Sequence, residues 1–334
     1  MLNRATKLNI AQSAASIHQR FKQRDVASHS GKLDVFGIIE SLEIPLLFKS
    51  LDGLLGAYLP EPTPGVLITT QRPLSIQRFT AAHELGHACL GHKPSLDDES
   101  ILRRMANPSQ QQGLRQEEEA NFFATTFMLP VWLVNQHASR QGWEKRDLSD
   151  PFNLYQLSLR VGLSYVATCV ALRQHNLISD ETASDVISAA PRMLKKDLLR
   201  QIEPASYYGD VWNLSSHDNR TRLEPQLGDH FVLELLEQSG AGYQWDISEI
   251  EQSGATILQD ERARADDESV GSPVERRITL CWEESFEGEV TLQQYRPWLG
   301  VSSAIDSLIF HIAVNAKIKD GLSIGSRRRL LEAA

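Results

Sequence analysis

The sequence predicts an α+β protein that ends in an all-β region, and three observations carry that expectation. The first 200 residues mix helical stripes with a few short apolar runs. Near Pro204 the texture changes to alternating apolar and polar positions with many Gly, Trp and Tyr. One helical segment holds His83-Glu84-Leu85-Gly86-His87, whose spacing sets two imidazoles on one helix face. At 334 residues and 41 % hydrophobic content, the chain is long enough for two or three packed domains. The expected division is 1–130, a helical extension over 131–203, and a β-sandwich over 204–334.

Residues 4–24 read as an amphipathic helix, with Leu8, Ala11, Ala14, Ile17 and Phe21 at three- and four-residue steps. A shorter helix fits Val35 to Leu42. The runs at 44–48, 54–58 and 66–70 are separated by Asp52-Gly53 and by the turn from Pro60 to Gly65, so a small sheet is expected. Its strand Val66–Thr70 is the one expected to pair with an extended substrate. Helical periodicity resumes from about Ile76 to Leu90 and stops at Gly91 and Pro94. Residues 94–113 are polar and read as a loop. A second helix runs from Arg115 to Met128, ahead of Pro130.

Beyond it, 131–200 reads as all-helical, with a clear segment from Leu154 to His175. Within that segment, Leu157 to Ser164 is read as a packed hairpin with a Gly-centred turn in preference to a DNA-binding one. Strands are expected at 230–236, 243–247, 277–282, 290–295 and 308–314, at a spacing that suits a sandwich.

Charge narrows the function classes. Of 34 Lys+Arg and 43 Asp+Glu, residues 201–334 hold 12 and 23, a net of −11, which leaves +2 for the rest. Phosphate backbones would be repelled by the acidic third, so direct nucleic-acid binding is not expected. No stretch reaches the roughly 20 apolar residues of a membrane span, and the first residues lack the apolar run of a secretory signal. Cys89, Cys169 and Cys281 are odd in number and scattered, as suits a reducing compartment. A cytoplasmic protein is expected.

Residues four apart on a helix are offset by about 40° and roughly 6 Å of rise, so His83 and His87 point towards a shared centre. Glu84, beside the first His, is placed to reach a water held there instead of the ion itself. A tetrahedral zinc site with an open position needs a third protein ligand. The run Glu117-Glu118-Glu119-Ala120-Asn121 offers three candidates. Phase favours Glu117, which shares a face with Ala120, Asn121, Ala124 and Met128, and leaves Glu118 and Glu119 to solvent. Asn121, one turn on, can orient either imidazole from behind. His92 lies about 140° round from His87 and is expected to be exposed. Tyr58 is a further candidate for polarising a carbonyl, beside its plainer reading as a core tyrosine.

Residues from about 35 to 130 resemble the ImmA/IrrE family of zinc metallopeptidases. The resemblance rests on Gln77-Arg78-Phe79-Thr80-Ala81-Ala82-His83-Glu84-Leu85-Gly86-His87, on Glu117 to Ala124, and on Met128-Leu129-Pro130. It implies a gluzincin-like (zincin-like) fold, zinc as cofactor, a Glu as third ligand, and Glu84 as general base. It also implies a substrate class, helix-turn-helix transcriptional repressors of stress or mobile-element genes. The family's Glu-x-x-Ala-Asn spacing leaves the choice within the Glu triplet open.

Residues from about 205 resemble chagasin-like inhibitors of papain-type cysteine peptidases, which are immunoglobulin-like sandwiches with three loops at one end. The match rests on Gly228 to Leu233, on Gly242-Tyr243-Gln244-Trp245, on Gly271-Ser272-Pro273 and on Arg296-Pro297-Trp298. It implies partner-binding roles for Tyr243, Arg296 and Trp298. The first loop departs from the family: Gln238-Ser239-Gly240-Ala241-Gly242-Tyr243 stands where Asn-Pro-Thr-Thr-Gly-Tyr is usual. Its glycines raise the ordering cost of binding, so protein recognition is expected without cysteine-peptidase inhibition. The competing reading is a non-catalytic binding protein with a vestigial zinc site, and the intact His83, Glu84 and His87 favour the enzyme.

Overall fold

A computed structural model describes residues 2–60, 64–93, 95–98, 115–204, 206–264, 272–323 and 327. The chain forms two compact units. The first comprises Met1–His137, Lys145–Ser188 and Lys317–Ala334, and the second Ala138–Glu144 and Ala189–Ala316. The expected limits at 130, 203 and 334 differ from this division. Residues 145–188 group with the first unit, 189–203 with the second, and the last 18 residues return to the first.

The first unit opens with α1 (Arg4–Arg20), capped by Asn3, whose side chain accepts from the Thr6 N–H at 2.8 Å. The expected single helix over 4–24 instead breaks at Phe21 and Lys22, the latter left-handed, and α2 (Gln23–Ser30) follows. After α3 (Val35–Ser41) come β1 (Leu46–Lys49), β2 (Leu54–Leu59) and β3 (Gly65–Thr69). α4 (Leu74–Leu90), β4 (Ser95–Asp98) and α5 (Arg115–Met128) complete the centre of the unit. The apolar face of α1 (Ile10, Ala14, Ile17) is buried. His18, at its end, faces the Phe127 carbonyl with Nε2 at 3.0 Å, and burial pulls its pKa down to about 4.

The sheet has the order β13-β1-β3-β2-β4, where β13 (Gly321–Leu322) comes from the far end of the chain. β3 is therefore interior, parallel to β1 and antiparallel to β2, with both edges hydrogen-bonded. It has no free edge for a substrate, contrary to the sequence expectation; the outer strands are β4 and β13. β13 pairs with the outer edge of β1 through Leu47↔Leu322 and Phe48↔Gly321. Asp320 anchors the turn before it by accepting from Ser50 N at 3.2 Å and Thr70 Oγ1 at 2.7 Å. An edge strand offers unpaired N–H and C=O groups, and this tail satisfies those of β1.

Further helices are α6 (Val131–Gln141), α7 (Pro151–Val161), α8 (Tyr165–Gln174) and α9 (Asp180–Ser188). The expected continuous segment Leu154–His175 is two helices. Gly162, at φ +70°, ends α7, and the Ser164 side chain caps α8 through the Ala167 N–H. Most of α8 is buried, including Thr168, Cys169 and Ala171, which leaves it as a packing helix. Among the described residues no helix is long and apolar enough to cross a membrane.

The second unit begins with α10 (Pro191–Leu199) and continues as two four-stranded sheets. One has β5 (Val211–Leu214), β7 (His230–Glu237), β10 (Val274–Trp282) and β9 (Ala255–Arg264), in that order. The other has β6 (Thr221–Leu223), β12 (Asp306–Ala313), β11 (Glu287–Tyr295) and β8 (Gln244–Asp246). Trp212, Phe231, Leu233, Ile278 and Trp282 on the first and Trp245, Leu292, Leu308 and Phe310 on the second supply the core. Fully buried Glu237 would be costly alone. It accepts from Arg276 (3.1 Å), Arg262 (2.8 Å) and the Trp245 N–H (3.0 Å), which compensates its charge. β5, β6 and β9 escaped the sequence reading. The acidic run 266–268, Gly271 and Arg328-Arg329 lie outside the described residues.

Candidate metal centre

α4 is buried almost all round because its residues from Phe79 to His87 are apolar, small or site-forming. Gly86 sets how close α5 can come: a Cβ there would lie 3.0–3.2 Å from the Phe123 side chain. Gly56 does the same for β2, since a Cβ would lie 2.6 Å from Thr80 Cγ2 and 2.9 Å from Glu84 Oε1. Two glycines thus let a helix and a strand close on α4 from separate directions.

The closure brings His83, His87 and Glu117 together as a buried group able to hold a metal ion. The two Nε2 atoms are 3.0 Å apart, and the Glu117 oxygens lie 3.3 Å from His83 Nε2 and 3.7 Å from His87 Nε2. Tetrahedral bonds of about 2.0–2.1 Å place neighbouring donors about 3.3 Å apart, so the donor set fits such an ion. Asn121 Oδ1 lies 3.0 Å from His83 Nδ1, which places the His83 proton on Nδ1 and the Nε2 lone pair inward. Lone pairs and a carboxylate this close repel one another unless a cation or proton sits among them. Glu84 is fully buried on the same helix, next to Gly56 of β2.

Two expectations fail here. His92 is not on the helix: Gly91 ends α4 in the left-handed region (φ +67°), and the chain folds back so that the His92 N–H reaches His87 O at 3.0 Å. Its side chain is only 8 % exposed and packs edge-on against His87, with ring centroids 4.9 Å apart. Glu119 is not a solvated charge either. It meets His92 Nε2 at 3.2 Å and accepts from Arg115 Nε at 2.8 Å. The phase count for His92 ran past Gly91, whose stop was the signal that could have revealed the reversal, and with His92 misplaced the partner of Glu119 was hidden too. Tyr58 is buried in β2, and burial with nearby Cys89 raises its pKa.

In the second unit the structure brings Tyr243, Arg296 and Trp298 together at one end. The Arg296 guanidinium lies 4.5 Å over the Tyr243 ring, and its Nε donates to Ala241 O at 3.1 Å. Gly242, at φ +83°, lies against the Trp298 ring, which would come within 2.4 Å of a Cβ. Trp298 remains 68 % exposed, beside exposed Leu299 and Val301.

The fold and these sites define a chain of two parts, one built round a potential metal group and one a sandwich with a loop-built tip. Residues 39–173 match the IrrE N-terminal-like domain of the Peptidase_M78 family, and residues 224–314 match the Chagasin family peptidase inhibitor I42. Among solved structures, a cysteine protease inhibitor from Entamoeba histolytica is similar at 20 % identity and TM-score 0.30, over 33 % of this chain and 100 % of that one. Amebosin is similar at 21 % identity and TM-score 0.25, over 32 % and 97 %. PbICP-C, solved in complex with falcipain-2, is similar at 14 % identity and TM-score 0.23, over 34 % and 98 %. No curated protein matches the chain.

Proposed function

We propose that the chain is a zinc-dependent endopeptidase acting on a protein substrate, a helix-turn-helix transcriptional repressor, in the cytoplasm. The observation that carries this reading is the convergence of His83, His87 and Glu117 with Glu84 one residue from the first ligand. Two neutral imidazoles and one carboxylate are the donor set of a catalytic zinc site with its fourth position open. When bound, zinc supplies Lewis acidity that polarises a peptide carbonyl and acidifies a water molecule. Glu84 takes the proton of the attacking water and delivers it to the leaving amine nitrogen. Asn121 holds the His83 ring in the tautomer that ligation needs.

The sandwich serves recognition in this reading. Its tip offers an exposed aromatic and aliphatic surface with a stacked Arg, the residue types enriched where proteins bind proteins. The net charge of −11 over residues 201–334 favours a basic partner, and DNA-binding repressors are basic. The glycine-containing first loop supports recognition without insertion into a papain-type cleft. The test incubates the zinc-loaded protein, and its Glu84→Gln variant, with a purified helix-turn-helix repressor and with papain. Cleavage by the unaltered protein alone, without papain inhibition, is expected. Equal cleavage by both forms would remove the catalytic reading, and nanomolar papain inhibition would reassign the sandwich.

A further inference from the structure

The structure assigns His92, Glu119 and Arg115 as a hydrogen-bonded relay that positions and polarises His87; this rests on the metal-centre reading above. His87 Nδ1 and His92 Nδ1 are 3.0 Å apart, so one of them carries a proton and the other receives it. If Nε2 of His87 is the ligand atom, that neutral ring keeps its proton on Nδ1 and donates it to His92 Nδ1. His92, also neutral, then carries its own proton on Nε2, where Glu119 Oε2 accepts it at 3.2 Å. Arg115 Nε holds the other oxygen, Oε1, at 2.8 Å, and an Arg115 terminal nitrogen donates to Thr6 Oγ1 at 3.2 Å. Each hydrogen has one donor and one acceptor along the chain, and no other set of neutral tautomers leaves His87 Nε2 free to ligate.

The two imidazoles are therefore supported unequally. His83 donates to a neutral amide, Asn121 Oδ1. His87 donates through His92 towards a carboxylate, whose charge makes the distant Nε2 a stronger donor atom. His92 takes this place because the left-handed turn at Gly91 brings it back over the last turn of α4. These three are positioning residues, since none is among the residues that would hold the ion.

Glu119→Gln discriminates a relay from packing because it keeps the shape. Arg115 claims the oxygen of the substituted amide, which turns the amide NH2 towards His92. His92 must then present a lone pair at Nε2 and a proton at Nδ1, which drives the His87 proton onto Nε2. Zinc affinity, read by competition with a chelating fluorophore on the full chain, is expected to fall about 10-fold in Glu119→Gln and about 10- to 100-fold in His92→Ala. Adding Arg115→Ala to Glu119→Gln frees the amide to flip and restores part of the affinity, which a packing role does not predict. Nitrogen-15 NMR of the zinc-loaded protein should show His92 protonated at Nε2. Far-UV circular dichroism establishes that each variant is folded. Zinc binding within twofold of the unaltered protein in folded Glu119→Gln and His92→Ala would overturn the relay. A protein that binds no zinc, or binds it equally well as His83→Ala, would overturn the metal-centre reading and the relay with it.

Discussion

The buried group on α4 and α5 and the exposed tip of the sandwich solve opposite problems with glycine and aromatic residues. At the buried group, Gly86 and Gly56 remove side chains so that Phe123 and β2 close against α4, and Glu84 is left fully buried. At the tip, Gly242 makes room for the Trp298 ring, and the result is an apolar surface turned outward. A buried site is over-determined by packing, so small changes there should propagate into chemistry. An exposed tip is held by few contacts, so changes there should alter recognition while the fold persists.

The largest expected effect that sharpens this contrast is on catalysis. Glu84→Gln removes a base but no ligand, so zinc content should be unchanged while hydrolysis falls about 10²- to 10⁴-fold. A zinc-loaded variant that cleaves at the original rate would break the proposed mechanism.

Next comes the acid response of the first unit. His18 has its pKa depressed to about 4 in the fold, so the stability it contributes is present above about pH 6.5 and lost as pH falls towards 4. About 3 kcal/mol is at stake, following from the size of the shift. His18→Gln stays neutral and can still donate to Phe127 O. The stability advantage of the unaltered protein over this variant, from urea titrations at pH 7 and pH 4, should therefore shrink by about that amount. A pH-independent difference would show that His18 is not buried neutral.

Gly86→Ala is expected to cost about 1–3 kcal/mol by overpacking against Phe123 and to weaken zinc binding by separating Glu117 from the imidazoles. Thermal melts and metal titrations would check both, and a variant that melts and binds as before would show that the helices tolerate the extra methyl.

Smallest in stability is Trp298→Ala, which should change folding by less than about 0.5 kcal/mol. Short-peptide hydrolysis should be unaffected, while capture of a whole protein substrate should weaken about 10-fold or more. Truncation near residue 203 is a poorer test, since residues 317–334 belong with the first unit and supply β13. Loss of short-peptide hydrolysis in Trp298→Ala would blur the division between the two regions.

Much of this organisation was legible in the residues. Periodicity placed α5 at its observed limits and α4 to within two residues of its start, because long stripes with a glycine or proline stop leave little freedom. That Asn121 can back one of the two imidazoles followed from its place one helical turn after Glu117, whereas the choice of His83 over His87 came only with the fold. Long-range events were not legible. Nothing local in Gly321-Leu322 announces a strand, and its partner β1 lies more than 270 residues earlier. β9 was hidden because its Gln, Asp, Glu and Arg positions mask an alternation that only its pairing with β10 reveals. His92 and Glu119 meet across a chain reversal that no single helical wheel can represent.

Whether His83, His87 and Glu117 hold one zinc ion is decided by metal analysis after exhaustive dialysis. About one zinc per chain is expected in the unaltered protein and in Glu118→Ala, and close to none in Glu117→Ala. A full equivalent of zinc retained by folded Glu117→Ala would contradict it.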